Sequence, residues 1–221
     1  MQNIVVVGSG GYAKVIIDII EKTSAAKIVG LIDSHKPKGR GVLGRMILGT
    51  ECDLPQLTKT LNIHGCILAI GDNHMRQAMK TKIDCLNLNL QHINAIHPTV
   101  AIACDVNIGQ GTVIMANTNI GSSSQIGEFC ILNTNSSLDH DGTMGNFSSL
   151  APGVVAGGGV QIGTHSAIGL GANILHGVSI GENSVIGAGS LVNKNIDSFV
   201  VAYGQPCQYV RDRKSEDAYL S

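Results

Sequence analysis

The chain has 221 residues, of which 43% are hydrophobic and 14% are charged, and its formal net charge at pH 7 is -1. This composition predicts a compact protein of one large or two small domains, and the near-zero charge gives no reason to expect nucleic acid or an anionic membrane as a partner. Every apolar run is far shorter than the ~20 residues of a membrane span, and Met1 to Ile4 lead directly into a predicted strand, so we expect a cytoplasmic location.

The segment 1–93 alternates between apolar stretches typical of buried strands and stretches with helical periodicity. Strands are predicted over residues 4–7, in segments that end at Asp33 and at Gly71, and near 90–93. Helices are predicted after the first strand and over about residues 74–82, and the apolar face of the first helix contains Val15, Ile16, Ile19 and Ile20. This order predicts a small Rossmann-like βαβ domain over residues 1–93, with ligands at the carboxyl ends of its strands.

A glycine-rich turn, "GSGGYA" over residues 8–13, follows the first predicted strand, and Asp33 ends the next one. The pattern is close to a dinucleotide fingerprint. However, the domain has about half the length of a dinucleotide-binding fold, and no hydride-transfer site follows it. Glycines that let backbone amides and a helix amino terminus approach a phosphate suit a nucleotide diphosphate sugar equally well. We therefore favour a nucleotide sugar over NAD or a purely structural turn.

A six-residue repeat runs from Ile96 to Val192 without an insertion. Of the seventeen positions at this spacing, sixteen are large aliphatic residues and one is Ala156. A period of six matches neither a helix nor a half-exposed strand. It predicts a solenoid of short strands over residues 94–203, in which each aliphatic side chain stacks on its equivalent one coil away.

The cysteines and histidines are scattered along the chain without a C-x-x-C or H-x-x-x-H pair. Their spacing predicts neither a disulfide framework nor a metal site. We expect the cysteines to be small buried residues.

The repeat resembles the hexapeptide repeat of the acyltransferases with a left-handed parallel β-helix. In that family three hexads form one coil, and the proteins are trimers with active sites between subunits. No Lys or Arg lies between Ile83 and Asn193. A solenoid surface without Lys or Arg side chains fits burial in such an interface, so we expect a homotrimer. Residues 204–221 form a predicted tail, and its Gly204-x-Pro206 segment, within "YGQPCQYV", resembles the closing strand and turn of these enzymes.

The βαβ domain followed by this solenoid resembles the bacterial sugar O-/N-acyltransferase family, which includes sialic acid O-acetyltransferases and N-acetyltransferases of UDP-4-amino-sugars. The resemblance implies that seven residues hold the nucleotide part of the acceptor: Gly11, Tyr12, Ala13, Asp33, Ser34, Gly71 and Asp72. Arg76 is a further candidate for binding the diphosphate, or else a solvated helix arginine.

Asp139, His140 and Asp141 form a charged triplet in a segment that otherwise avoids charge. Acetyl transfer from a thioester needs a group that takes a proton from the acceptor, and histidine has a suitable pKa. A neighbouring carboxylate can fix the tautomer of the ring. The family has a basic histidine followed by an acidic residue in this hexad, which implies His140 as catalytic base and Asp141 as its orienting carboxylate. A capped polar turn is the alternative interpretation.

Gly158 follows His140 at a spacing of three hexads, so the coil length predicts that the two stack. A wall without side chains would admit the pantetheine arm of acetyl-CoA, and exposed glycine amides could polarise the thioester; a tight corner that needs glycine is the alternative. The family resemblance implies that Leu170 and Ala188 line the cofactor channel. Ser149 stands where the family commonly has a second histidine that contacts acetyl-CoA. The CoA phosphates would meet cations outside the solenoid body: Lys194, Arg211, Arg213 or Lys214.

The sequence thus predicts an acetyl-CoA-dependent N-acetyltransferase that needs no metal. Its expected acceptor is the 4-amino group of a UDP- or GDP-linked 4-amino-4,6-dideoxy sugar used in surface glycans. A sugar O-acetyltransferase of the sialic acid type is the alternative within the same fold. A non-catalytic, nucleotide-binding scaffold is the alternative from another class.

Overall fold

The computed structural model describes residues 1–219 and divides into two compact units. The first unit contains Met1–Gly71 and Met75–Pro98, and the second contains Asp72–His74 and the chain from Thr99 onward. The domain limits at residues 93 and 203 stay a prediction. No helix in the described part of the chain has the length and hydrophobicity needed to cross a bilayer.

The first unit is an α/β fold around one mixed sheet. Its elements are β1 (Asn3–Val7), α1 (Gly11–Thr23), β2 (Lys27–Ile32), β3 (Gly41–Val42), β4 (Arg45–Gly49), α2 (Leu54–Leu61), β5 (Gly65–Leu68), α3 (Asn73–Asp84) from Met75 onward, β6 (Gln91–His92) and β7 (Ala95–Ile96). The sheet has the order β3-β4-β2-β1-β5-β6. All neighbours pair in parallel except β3 and β4, which form a hairpin.

Strand β1 lies in the middle of this sheet because its residues are apolar on both faces, as parallel strands covered on both sides require. Ile4, Val5 and Val6 are fully buried. Helix α1 begins at the glycine turn and buries Ile16 and Ile17 with the next apolar turn. Val15, which the sequence analysis placed on the buried face, is exposed instead, because Ile17 falls on the core-facing side of the 3.6-residue period.

The second unit is a parallel β-helix built from two-residue strands. They are β8 (Ala101–Ile102), β9 (Asn107–Ile108), β10 (Val113–Ile114), β11 (Asn119–Ile120), β12 (Gln125–Ile126), β13 (Ile131–Leu132), β14 (Ser137–Leu138), β15 (Thr143–Met144), β16 (Ser149–Leu150), β17 (Val155–Ala156), β18 (Gln161–Ile162), β19 (Ala167–Ile168), β20 (Asn173–Ile174), β21 (Ser179–Ile180), β22 (Val185–Ile186) and β23 (Leu191–Val192).

These strands form three faces, each made of every third strand. The first face contains β10, β13, β16, β19 and β22, the second runs from β8 through β14 to β23, and the third runs from β9 through β15 to β21. Each strand pairs with the strand three hexads later, as Leu138 does with Ala156 and Ala156 with Ile174. The chain therefore turns three corners per coil, and equivalent corner residues are separated by the same three hexads.

The predicted aliphatic column forms the core of this unit. Ile114, Leu138 and Val192 are fully buried, whereas Ile102 in the first coil is 36% exposed. At the other end, β24 (Val200–Gly204) extends the first face and pairs in antiparallel fashion with β25 (Cys207–Asp212). The prediction of an interior column is confirmed.

The described cysteines are all free thiols. Cys66, Cys130 and Cys207 are buried as expected, but Cys52, Cys85 and Cys104 are exposed. The expectation of burial was wrong for these three, which do not lie at inward positions of their elements.

Candidate functional site

His140 lies in a corner that the neighbouring coil holds in place. We call the corners between the second and third faces the His140 edge; it consists of residues 103–106, 121–124, 139–142, 157–160, 175–178 and 193–195. Leu138 fills the interior below the turn. The buried hydroxyl of Ser124 donates to the carbonyl of Asp139 at 2.9 Å and accepts from the amide of Gly142 at 3.2 Å. The chain therefore presents His140 outward on a fixed backbone.

His140 and Asp141 form a hydrogen-bonded pair at this corner. The Nδ1 atom of His140 lies 2.7 Å from Oδ2 of Asp141, and the backbone amide of His140 donates to Oδ1 of Asp139 at 2.8 Å. A carboxylate on Nδ1 favours the tautomer with its proton there, which leaves the lone pair on Nε2. The hydrogen bond to Asp141 and the charge of Asp139 raise the pKa of His140 above its usual value. The arrangement suits a general base whose imidazolium form is stabilised.

Gly158 lies directly beside the free nitrogen of His140. A Cβ atom at this position would lie 2.5 Å from Nε2 of His140. The amide of Gly159 donates to the carbonyl of His140 at 2.8 Å, and the amide of Gly157 donates to Ile174. Glycine at position 158 therefore lets the imidazole lie against the backbone of the next coil. Within residues 1–219, no backbone hydrogen bond from the amide of Gly158 is found.

Leu170 and Ala188 lie on a different edge of the prism. The corners between the first and second faces form the Leu170 edge, residues 115–118, 133–136, 151–154, 169–172 and 187–190. Both residues are exposed, and they belong to consecutive coils, because the amide of Gly189 donates to the carbonyl of Leu170 at 2.8 Å. Ser149 lies on the first face in β16. Within one chain, the structure brings His140 together with Gly158 but not with Ser149, Leu170 or Ala188.

The cations near the end of the solenoid differ in their surroundings. Arg213 is 5% exposed and donates to the carbonyl of Asn183, and Arg211 pairs with Asp217. Lys194 lies on the His140 edge and donates to the neutral side chain of Gln208 at 3.0 Å. The expectation that Arg213 meets a phosphate is wrong, because its guanidinium group is buried against backbone oxygens.

The first unit has a cavity of about 120 Å³ at the carboxyl ends of its strands, lined by Gly8, Asp33, Ser34, Glu51 and several apolar side chains. Asp33 accepts hydrogen bonds from the Ser9 hydroxyl and from the backbone amides of His35 and Lys36. Burial opposes ionisation of Asp33, but these hydrogen bonds hold its pKa below the usual value. Asp33 and Ser34 are thus placed together at the expected end of the sheet.

Glu51 is a site residue that the sequence analysis missed. It opens a 3-10 turn (Glu51–Asp53) after β4, and its buried carboxylate accepts from Ser34 and Lys82. Burial would raise its pKa, but the bonds from Lys82 and Ser34 lower it to about 2. The apolar run before Glu51 could have identified this residue, because the run predicts a further parallel strand that ends at the same edge of the sheet.

The glycine turn leads into the first turn of α1. Gly11 is exposed and Ala13 is buried, so Ala13 can support a ligand only by keeping the helix close. The hydroxyl of Tyr12 is buried, which raises its pKa, and no group in residues 1–219 accepts or donates a hydrogen bond to it. An unpartnered buried hydroxyl next to a glycine-rich helix start is an expected feature of a polar ligand site.

The remaining predicted nucleotide residues follow β5. Gly71 belongs to the first unit and Asp72 to the second. Arg76 is buried and donates to the carbonyls of Ile70 and Gly71 at 3.0 and 2.9 Å. Both expectations for Arg76, a diphosphate ligand or a solvated arginine, are therefore wrong, because its guanidinium group holds the loop after β5. Residues 1–219 contain no group of three or more side chains that could bind a metal ion.

Residues 3–83 match the family model of the PglD N-terminal domain. A curated relative, the UDP-N-acetylbacillosamine N-acetyltransferase of Bacillus subtilis, is 29% identical over 117 residues, which are 52% of this chain and 52% of that protein. The chain therefore spans about half the length of this curated relative.

Solved structures that resemble nearly the whole chain include two acetyltransferases. One is a histidine-to-asparagine variant of perosamine N-acetyltransferase from Caulobacter crescentus in complex with CoA and GDP-perosamine. It is 32% identical with a TM-score of 0.90, over 96% of this chain and 98% of that one. The other is the acetyltransferase domain of PglB from Neisseria gonorrhoeae in complex with acetyl coenzyme A. It is 25% identical with a TM-score of 0.86, over 95% of this chain and 99% of that one.

Proposed function

Because the chain belongs to the hexapeptide-repeat family of sugar N-acetyltransferases, whose solenoid is a left-handed β-helix, we propose that it transfers the acetyl group of acetyl-CoA to a nucleotide-linked amino sugar. The acceptor is the 4-amino group of a UDP- or GDP-linked 4-amino-4,6-dideoxy sugar. One relative acts on a UDP-linked sugar and another binds GDP-perosamine with CoA, which supports this acceptor class.

The observation that carries the proposal is the pair of His140 and Asp141 against the backbone of Gly158. A Cβ at Gly158 would lie 2.5 Å from Nε2 of His140, so glycine lets the imidazole lie this close to the next coil. A thioester that lies along the outside of this edge would meet Nε2 of the imidazole. Proximity of the reacting groups and a positioned base are the two contributions that acyl transfer to an amine needs from a protein.

In the proposed mechanism the sugar amine attacks the thioester carbonyl and its proton moves to Nε2 of His140. Asp141 stabilises the resulting imidazolium through its hydrogen bond to Nδ1. The Gly158 amide donates to the oxyanion. Collapse of the tetrahedral intermediate breaks the carbon-sulfur bond, and the proton held by His140 neutralises the CoA thiolate. The sugar leaves with a new amide bond.

The first unit supplies the binding of the nucleotide in this proposal. The start of α1 at Gly11 presents backbone amides and the positive end of a helix dipole to the diphosphate. Asp33, Ser34 and Glu51 line the small cavity that would receive the ribose of the nucleoside. A carboxylate at the end of β2 suits a ribose hydroxyl, as in other parallel α/β folds.

A homotrimer is part of the proposal. His140 and Gly158 lie on one edge of the prism, and Leu170 and Ala188 lie on another. Two copies with adjoining edges would bring these groups to one channel, whereas one chain keeps them apart. The lack of Lys and Arg from residue 84 to 193 supports close contact between copies.

The test measures acetyl transfer from acetyl-CoA to UDP- and GDP-linked 4-amino sugars, with free sialic acid as the competing acceptor. We expect turnover on a nucleotide amino sugar and a loss of about 100-fold or more in kcat for His140→Asn, because a positioned base contributes on that order. Transfer to sialic acid alone would favour the O-acetyltransferase. Full activity of His140→Asn would contradict the role of His140, and the absence of turnover on all acceptors would favour a non-catalytic scaffold.

A further inference from the structure

The His140 edge carries a second histidine and a lysine at the coil spacing. His140, Gly158, His176 and Lys194 follow one another at a constant interval of three hexads in the sequence. Each follows a strand of the second face, namely β14, β17, β20 and β23. The four residues therefore form one row along a single edge of the prism.

His176 lies in the corner directly next to Gly158. The amide of Gly177 donates to the carbonyl of Gly158 at 2.9 Å, and a Cβ at Gly157 would lie 3.0 Å from the backbone nitrogen of His176. The side chain is exposed, and no hydrogen bond or ion pair of His176 is found among residues 1–219. It is available to a ligand that runs along the edge.

Lys194 extends the row by one more coil. The amide of Leu175 donates to the carbonyl of Val192 at 2.9 Å, which joins the two coils just before their corners. The Lys194 ammonium donates to the amide oxygen of Gln208 and forms no ion pair with a carboxylate in the described chain. Its positive charge is therefore not neutralised, and it is the first cation after the long segment 84–193, which has no Lys or Arg.

We propose that His176 and Lys194 bind the phosphates of CoA while its acyl end lies beside Nε2 of His140. The inference rests on the proposed function, because it assigns the donor that function requires. Parallel strands are spaced by about 4.8 Å, so His176 lies about 10 Å and Lys194 about 14 Å along the edge from His140. CoA has the same order of groups: a thioester, an uncharged arm, and then phosphates.

The surroundings favour this row over the cations of the tail. Arg213 is buried against backbone oxygens, and the charge of Arg211 is paired with Asp217. Gly158 adds no side chain to the row, and side-chain hydrogen-bond donors follow only beyond it, at His176 and Lys194. Imidazole and ammonium groups both donate to phosphate oxygens.

The test measures CoA binding by titration calorimetry for the wild-type chain and for His176→Ala and Lys194→Gln. We expect each variant to raise the Kd for CoA about five- to tenfold, as for charge-assisted hydrogen bonds at an exposed site. Lys194→Arg should restore most of the affinity. Added salt should weaken CoA binding less in Lys194→Gln than in wild type, because fewer charges are left to screen.

His64→Ala and Lys59→Gln are matched controls, since both remove an exposed side chain of the same type from the first unit. They should leave the Kd for CoA unchanged. Unchanged CoA affinity in both edge variants, equal losses in the controls, or no CoA binding by wild type would overturn the inference. If CoA binds with the expected differences but no nucleotide amino sugar is acetylated, the inference stands and the proposed function fails.

Discussion

Asp141 occupies a backbone conformation that makes it easy to test by substitution. Its φ is +57°, in the left-handed region that asparagine also tolerates, so Asp141→Asn removes the charge without straining the corner. Because Asp141 raises the pKa of His140, the variant lowers that pKa. A base works in its neutral form, so the acidic limb of the pH profile of kcat/KM should move to lower pH. The plateau should fall as well, because the tautomer is no longer fixed.

The pH profile of Asp139→Asn is the control for this prediction. Asp139 raises the pKa of His140 through its charge and does not contact the imidazole ring in a hydrogen bond. We expect its acidic limb to move in the same direction with a smaller loss on the plateau. An acidic limb that stays in place in Asp141→Asn would show that His140 is not the titrating base.

At the scale of the element, the third edge of the prism is held by stacked rings. Phe147 stacks on Phe129 with a centroid distance of 5.1 Å and on His165 at 5.3 Å. Phe147 is 7% exposed, and its corner lies between the third and first faces, away from His140. Phe147→Ala should therefore lower the free energy of unfolding by about 3 kcal/mol, the lower range for a buried phenylalanine.

Chemical denaturation measures this loss, and acetyl transfer below the unfolding transition provides the second readout. We expect kcat to stay near the wild-type value, because the His140 edge keeps its own hydrogen bonds. Phe147→Asn offers a comparison, since asparagine occupies the equivalent left-handed position at Asn117 and Asn135. A large loss of kcat in a folded Phe147→Ala protein would mean that the two edges are coupled.

The same elements explain which features could be predicted from the sequence. The column through Leu138 and Ala156 was predictable because every coil buries a side chain at the same positions. The pattern of one inward residue in every six therefore recurs many times in the sequence. The hairpin of β3 and β4 was not, since β3 has only two residues and shows no period, although the apolar run in β4 indicates a strand. Glu51 and Arg76 depend on partners from other elements, namely Ser34 and the carbonyl of Ile70, and such pairings are set by tertiary structure alone.

For the whole molecule, the separation of the two edges predicts complementation between inactive copies. His140→Asn disables the base, and Ala188→Trp would fill the proposed channel from the Leu170 edge. Suppose that each site combines one edge from each of two copies and that the two variants mix at random in equal amounts. Each of the two edges of a site is then intact in about half of the cases, so about a quarter of the sites are complete. Co-expression of the two variants should restore about that share of wild-type activity.

Light scattering of the same samples provides the control, with an expected mass of about three times the 23.0 kDa of one chain. Each variant expressed alone should stay inactive. Activity of the mixture that does not exceed the sum of the single variants would place the complete site within one chain.

Because the coils pair regularly, the solenoid fixes the distances between residues along each edge. Each coil adds about 4.8 Å along an edge, and a change in length that keeps the inward column intact must come in whole coils of three hexads. The distance from His140 to Lys194 can therefore change only in steps, never continuously. If His176 and Lys194 bind the donor as proposed, a donor whose anionic end lies farther from its acyl group would need an added coil between His140 and Lys194.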